Sequence, residues 1–121
     1  AALELYYTKH IFGFKDLPEC IARSEAESDS ETYRIVWGES EIALTGHVRE
    51  YNLSPRLDKL RMPCLFVCGR HDEATPEAHQ YFASLVAGSA CHIFEHSAHF
   101  PHISERDSFV SVIRRFMDTH Q

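Results

Sequence analysis

No run of apolar residues in this sequence approaches the roughly 20 that a bilayer-spanning helix needs, so no membrane-spanning segment is expected within it. The first ten residues, Ala1 to His10, lack the basic-then-apolar order of a secretory signal, and the expectation is a cytoplasmic protein. Basic residues are in the minority and scattered, 12 Lys and Arg against 18 Asp and Glu for a formal net charge of -6. There is therefore no electrostatic footprint for nucleic acid, and an anionic membrane surface would repel the chain. Cysteine is sparse, and Cys20, Cys64, Cys68 and Cys91 form no Cys-x-x-Cys pair; three of them lie in or beside apolar runs, as small buried hydrophobes of a reducing compartment do. No zinc or redox role is expected of them. What is present is ordinary: 44% hydrophobic and 25% charged residues in 121 positions suit one small globular unit.

The chain changes texture near Asn52. Residues 1–52 are polar with interleaved aromatics, and Leu3, Tyr6, Tyr7, Ile11 and Phe12 recur mostly at helical spacing, which predicts two or three short helices. Ala1 to Leu5 already reads as helix interior with no cap before it, so the sequence is expected to begin inside an element. Pro18 suits the first turn of a second helix, Ser24 to Ser30 a solvated helix end and loop, and Glu31 to Trp37 a third helix stopped by Gly38. From residue 53 onward the pattern becomes strand, helix, strand, helix. Cys64 to Cys68 is continuously apolar, as a parallel strand covered on both faces should be, and Gly69 ends it. Thr75 caps the next helix with Pro76 at its first position, and Gly88 closes it. Ala90 to Phe94 is the second strand, and Ser104-Glu105-Arg106-Asp107 resembles a capping box that opens a last helix with Phe109, Val112, Ile113 and Phe116 on one face. Two strands cannot make a stable doubly wound sheet, so the apolar faces call for a larger sheet from another chain or an amino-terminal half. Expressed alone, such a chain is expected to self-associate.

The chemistry sits just past the two strands. Gly69-Arg70-His71-Asp72 follows the first and Ser97-Ala98-His99 the second, and in open α/β sheets reactive groups collect beyond the carboxyl ends of strands. A carboxylate bonded to one imidazole nitrogen fixes the tautomer and stabilises the imidazolium, while the other nitrogen takes a proton from a nucleophile. Asp72 is thus read as the triad acid and His99 as the base, in the chain order of an α/β-hydrolase. The same Asp and His could instead be ordinary loop residues. No Gly-x-Ser-x-Gly elbow occurs among the 121 residues, so the nucleophile is expected elsewhere and the isolated chain is expected to be catalytically silent.

Further motifs narrow this. Trp37-Gly38-Glu39-Ser40-Glu41, Leu44-Thr45-Gly46, Pro63-Cys64-Leu65-Phe66, Asp72-Glu73-Ala74-Thr75-Pro76 and Glu95-His96-Ser97-Ala98-His99 resemble the carboxyl-terminal half of proline iminopeptidases, within the α/β-hydrolase superfamily. The resemblance implies an α/β fold made of the last two βα units of a parallel sheet (53–121), preceded by helices of the cap (1–52). It implies a serine exopeptidase that uses no cofactor and no metal and releases an amino-terminal residue, often proline, from a peptide with a free amino terminus. It also places Glu41 and Glu73 as the carboxylates that bind the substrate's α-ammonium group. Two carboxylates around one pocket favour an ammonium and disfavour an acylated terminus. Trp37 would add an apolar wall for a pyrrolidine ring. Members of the family commonly have Pro after Trp-Gly and an aromatic residue after the Glu, where this chain has Glu39 and Ile42, differences that bear on the side-chain pocket.

Alternative readings remain at this stage. The acid and histidine would serve equally in an epoxide hydrolase, a dehalogenase or an esterase, and a non-catalytic interaction module could retain the fold. His92, His96, His99 and His102 cluster in the sequence, but strand alternation and a turn scatter them, so a metal site is not expected.

Overall fold

The computed structural model describes residues 2–40 and 42–120. Its elements are α1 (Ala2–Tyr6) running directly into a π-helical turn (Tyr7–Phe12), α2 (Glu19–Glu27), α3 (Ser30–Val36), two 3-10 turns (His47–Glu50 and Ser54–Lys59), β1 (Leu65–Gly69), α4 (Pro76–Ser84), β2 (Ala90–Phe94), α5 (Pro101–Ser104) and α6 (Arg106–Asp118). Among the described residues no helix is long and apolar enough to cross a membrane.

Two compact units are formed. One joins Ala1–Asp16 to Arg56–Gln121, and the other is Leu17–Pro55. The helical region 1–52 that reads as one stretch in the sequence is therefore divided by packing, its first turns grouping with the strands. The reason is specific: the π-helical turn places Ile11, only 7% exposed, and the carbonyls around it against the loops that follow β1 and β2.

In the larger unit β1 and β2 pair in parallel, with Leu65 opposite Ala90 and Gly69 opposite Phe94. Thr75 caps α4 as its sequence position suggests, its Oγ1 accepting from the Ala78 amide at 3.3 Å, with Pro76 in the first turn. Helix α4 packs on β1 and β2. Phe109 of α6 packs against Phe94 at 5.6 Å between ring centroids, and burial of a Phe side chain of this kind stabilises by about 2–3 kcal/mol. The core comprises Ile11, Cys68, Val86, Phe94 and Ala98. Only the carboxyl end of β1 is fully covered; Leu65, Phe66 and Val67 are half-buried, so the two-sided cover expected of this strand is not provided by these residues.

The capping box at Ser104 does not form. Ser104 instead ends the short α5, and Glu105, at the start of α6, makes no cap bond because its carboxylate turns to the loop after β2. A tertiary partner outcompetes the local one.

In the smaller unit Asp29 caps α3, accepting from the Thr32 amide at 2.7 Å, and this bond holds its carboxyl below its ordinary range. The chain then turns back at Gly38, and the amides of Thr45 and Gly46 both donate to the Trp37 carbonyl at 3.1 and 3.0 Å, closing the segment between them.

Candidate active site

The site is built from the two loops that leave the parallel strands. Their pairing continues past the sheet: the Arg70 amide donates to the Phe94 carbonyl at 2.8 Å and the His71 amide to the Ser97 carbonyl at 3.0 Å. Gly69 makes this approach feasible, because a Cβ there would collide with the carbonyl oxygens of Ser97 and Ala98. Here the requirement for glycine is close passage of one backbone over another. The Arg70 guanidinium spans the same two loops with a forked contact to Glu95, 2.8 Å from Nε and 2.6 Å from Nη2, and this bond holds the Glu95 carboxyl below its usual range.

Asp72 and His99 meet where the loops meet. Asp72 Oδ1 lies 2.9 Å from His99 Nδ1 and also accepts from the Ala74 amide at 2.9 Å, which fixes the carboxylate plane. The acid side chain is 4% exposed, whereas that of the histidine is 45% exposed. A carboxylate only accepts, so the bond assigns the proton to Nδ1 and directs the lone pair to Nε2, the nitrogen a nucleophile would use. The burial contrast keeps the acid from competing for solvent while leaving the imidazole accessible.

The loops are also gripped by the turn at His10 to Gly13, which no residue pattern marks as their partner. His10 Nδ1 is 2.8 Å from the His71 carbonyl, the Glu73 amide donates to the His10 carbonyl at 3.2 Å, and the His99 amide donates to the Ile11 carbonyl at 3.1 Å. Phe12 stacks on Phe100 with ring centroids 6.2 Å apart. Gly13 follows at φ +69°, and a Cβ on it would lie 2.9 Å from the Ala98 Cβ. The π-helical turn thus binds both the acid loop and the histidine loop, a place where such irregular turns often occur. These contacts are made mainly by backbone atoms, which carry no signature in a sequence.

Below His99 lies a polar knot. Ser97, 1% exposed, donates its hydroxyl to Glu105 Oε2 at 2.6 Å; the same oxygen accepts the His96 amide at 2.9 Å, and Ser104 Oγ lies 2.7 Å from Ser97 Oγ. Cys68, at the end of β1, is also buried, and burial together with the Asp72 carboxylate pushes its thiol up to about 11. It is a packing residue and not a nucleophile.

Of the residues read as substrate-binding, Glu73 is half-buried and next in sequence to the acid. Trp37 belongs to the smaller unit, at the carboxyl end of α3, and is 37% exposed. Glu41 lies outside the described residues. Among the described residues no group of three or more His, Cys, Asp or Glu side chains is arranged to hold a metal ion.

No protein-family model matches the chain. It is 33% identical over 120 residues to a proline iminopeptidase of Heyndrickxia coagulans, a match that takes in 98% of this chain and 42% of that protein. Among solved structures it superposes on VinJ with a TM-score of 0.92 at 27% identity, covering 99% of this chain and 41% of that one. It superposes on a proline iminopeptidase of Mycobacterium smegmatis with a TM-score of 0.91 at 27% identity, covering 98% and 40%. The chain therefore spans about two-fifths of the length of the curated relatives it matches (42% of the Heyndrickxia coagulans protein). Over nearly its whole length it is similar to the carboxyl-terminal part of proline iminopeptidases, and its fold is that of the carboxyl-terminal part of an α/β-hydrolase.

Proposed function

We propose that this chain supplies the acid, Asp72, and the base, His99, of a proline iminopeptidase-like serine hydrolase whose nucleophile resides outside these 121 residues. The observation that carries the reading is the 2.9 Å contact from a buried carboxylate to a solvent-reached imidazole at adjacent strand ends. The similarity to proline iminopeptidases supports the choice of reaction. His99 Nε2 takes the proton from a serine hydroxyl as its oxygen bonds to the carbonyl carbon of the amino-terminal residue. The imidazolium, stabilised by Asp72, then gives that proton to the departing amine as the C–N bond breaks. Water, deprotonated by the same nitrogen, releases the acyl group from the serine. Asp72 stays ionised throughout.

The substrate is a peptide with a free amino terminus, whose ammonium group is bound by Glu73, the half-buried carboxylate next in sequence to the acid. Residue 73 adjoins the acid, so an ammonium held there lies near the carbonyl of the same residue. A reducing, cytoplasmic setting belongs to the same proposal, supported by the free thiols of Cys20, Cys64, Cys68 and Cys91.

The test joins this chain to a polypeptide carrying a Gly-x-Ser-x-Gly elbow and follows release of aniline from proline anilide. Hydrolysis of the free-amino substrate, little or none of its N-acetyl derivative, and a raised KM in Glu73→Gln are expected. The 121-residue chain by itself is expected to be inactive. Cleavage of simple esters or epoxides with no action on proline anilide would replace this reading by that of another α/β-hydrolase.

A further inference from the structure

We infer that Glu105 is a positioning residue for His99, acting through the turn that carries it. The inference rests on the triad reading above but concerns a residue that makes no contact with reacting atoms. His96 to Glu105 forms a closed loop with His99 near its tip, and the Glu105 carboxylate ties the base of that loop. Its Oε2 receives two bonds, from the His96 amide at 2.9 Å and the Ser97 hydroxyl at 2.6 Å. Ser97 is 1% exposed, so its bond forms in a site poorly reached by water, and its loss leaves a buried hydroxyl without that acceptor. Ser104 Oγ, within 2.7 Å of Ser97 Oγ and 3.0 Å of the Phe100 carbonyl, ties the middle of the loop to the same point.

The geometry distinguishes this from a helix cap. Glu105 occupies the first position before α6, where an acidic residue would ordinarily serve the helix, yet it makes no cap bond there. Both of its bonds go to the residues immediately before Ala98 and His99. Ala98 is pinned between Gly13 and Gly69, so a displacement of Ser97 is passed along a stiff backbone to the imidazole. On the far side the His99 amide is held by the Ile11 carbonyl. With one anchor lost, the loop pivots about the other and the imidazole leaves the plane of the Asp72 carboxylate.

The measurement is the proton resonance of His99 Nδ1–H in the joined protein, identified by its loss in Asp72→Ala. Glu105→Gln retains an oxygen able to accept both bonds and is expected to keep the signal. Glu105→Ala is expected to broaden or abolish it and to lower kcat about 10- to 100-fold with KM little changed, as loosening of a group that orients another does. A sharp, unshifted signal in Glu105→Ala overturns the inference. Should that variant fail to fold, Ser97→Ala decides instead: a broadened signal supports the role, and the wild-type signal overturns it. Absence of proline anilide hydrolysis by the parent protein, with a signal that still depends on Glu105, would defeat the functional reading and leave the positioning role standing.

Discussion

The main-chain amide of His99 donates to the carbonyl oxygen of Ile11 at 3.1 Å, across most of the length of the chain. The backbone that carries the imidazole is thus held by a main-chain bond to a residue whose own side chain is buried. Four consequences for the site and its frame can be measured.

Replacement of Asp72 by Asn preserves shape but presents an amide to an imidazole that needs an acceptor at Nδ1. In the joined protein Asp72→Asn is expected to lower kcat roughly ten-thousand-fold, as the same change does in a Ser-His-Asp protease triad, with the unfolding midpoint little moved. Full activity in this variant would remove Asp72 from the triad.

Gly69 and Gly13 both face the 97–98 backbone, but against different atoms. In Gly69→Ala the new methyl meets carbonyl oxygens that cannot withdraw, and a loss of about 3 kcal/mol in urea unfolding is expected. Gly13→Ala combines the strain of a positive φ, about 1–2 kcal/mol, with a clash against the Ala98 side chain. Ala98→Gly should therefore recover part of the loss in Gly13→Ala and none in Gly69→Ala.

The Cys68 thiol is pushed up from 9.0 to about 11 chiefly by burial, so the folded chain holds this proton more tightly than the unfolded one. Its contribution to stability is complete below pH 9.0 and is lost as pH rises toward about 11. Urea midpoints measured between these values should fall more steeply in the parent than in Cys68→Ala. Equal slopes would show that burial of the thiol has no such effect. At neutral pH, iodoacetamide should modify the exposed Cys20 and spare Cys68 until the protein unfolds.

The forked Arg70 and Glu95 pair is exposed, so its loss in Arg70→Ala is expected to lower the unfolding midpoint only slightly, and less in high salt. Because Arg70 lowers the Glu95 carboxyl, what the pair contributes is present above the ordinary Glu range and disappears as pH falls through the lowered value. Arg70→Lys should behave like Arg70→Ala, since an ammonium cannot make the fork. Full retention by lysine would indicate that charge alone matters.

How much of this was legible in advance depends on the range of the interaction. The strands around Cys68 and Phe94, the Thr75 cap and the turn at Gly38 are governed by neighbours in sequence, and the residue pattern reveals them. The juxtaposition of Asp72 and His99 follows from two parallel strands side by side, each followed by a short loop. The docking of His10 to Gly13 was not legible, because carbonyl acceptors are common to every residue type. The capping box expected at Ser104 fails for the opposite reason: the local pattern is good, but a buried serine eight residues earlier, Ser97, offers the Glu105 carboxylate a drier and stronger partner than the helix amides.

The chain leaves the strand-bearing unit after Asp16 and rejoins it at Arg56. Leu17–Pro55 is in that sense an insertion into a frame that closes on itself through Ile11 and His99. Asp72 and His99 both lie in that frame, so a change in the length of the insertion leaves the two loops that join carboxylate to imidazole within one unit.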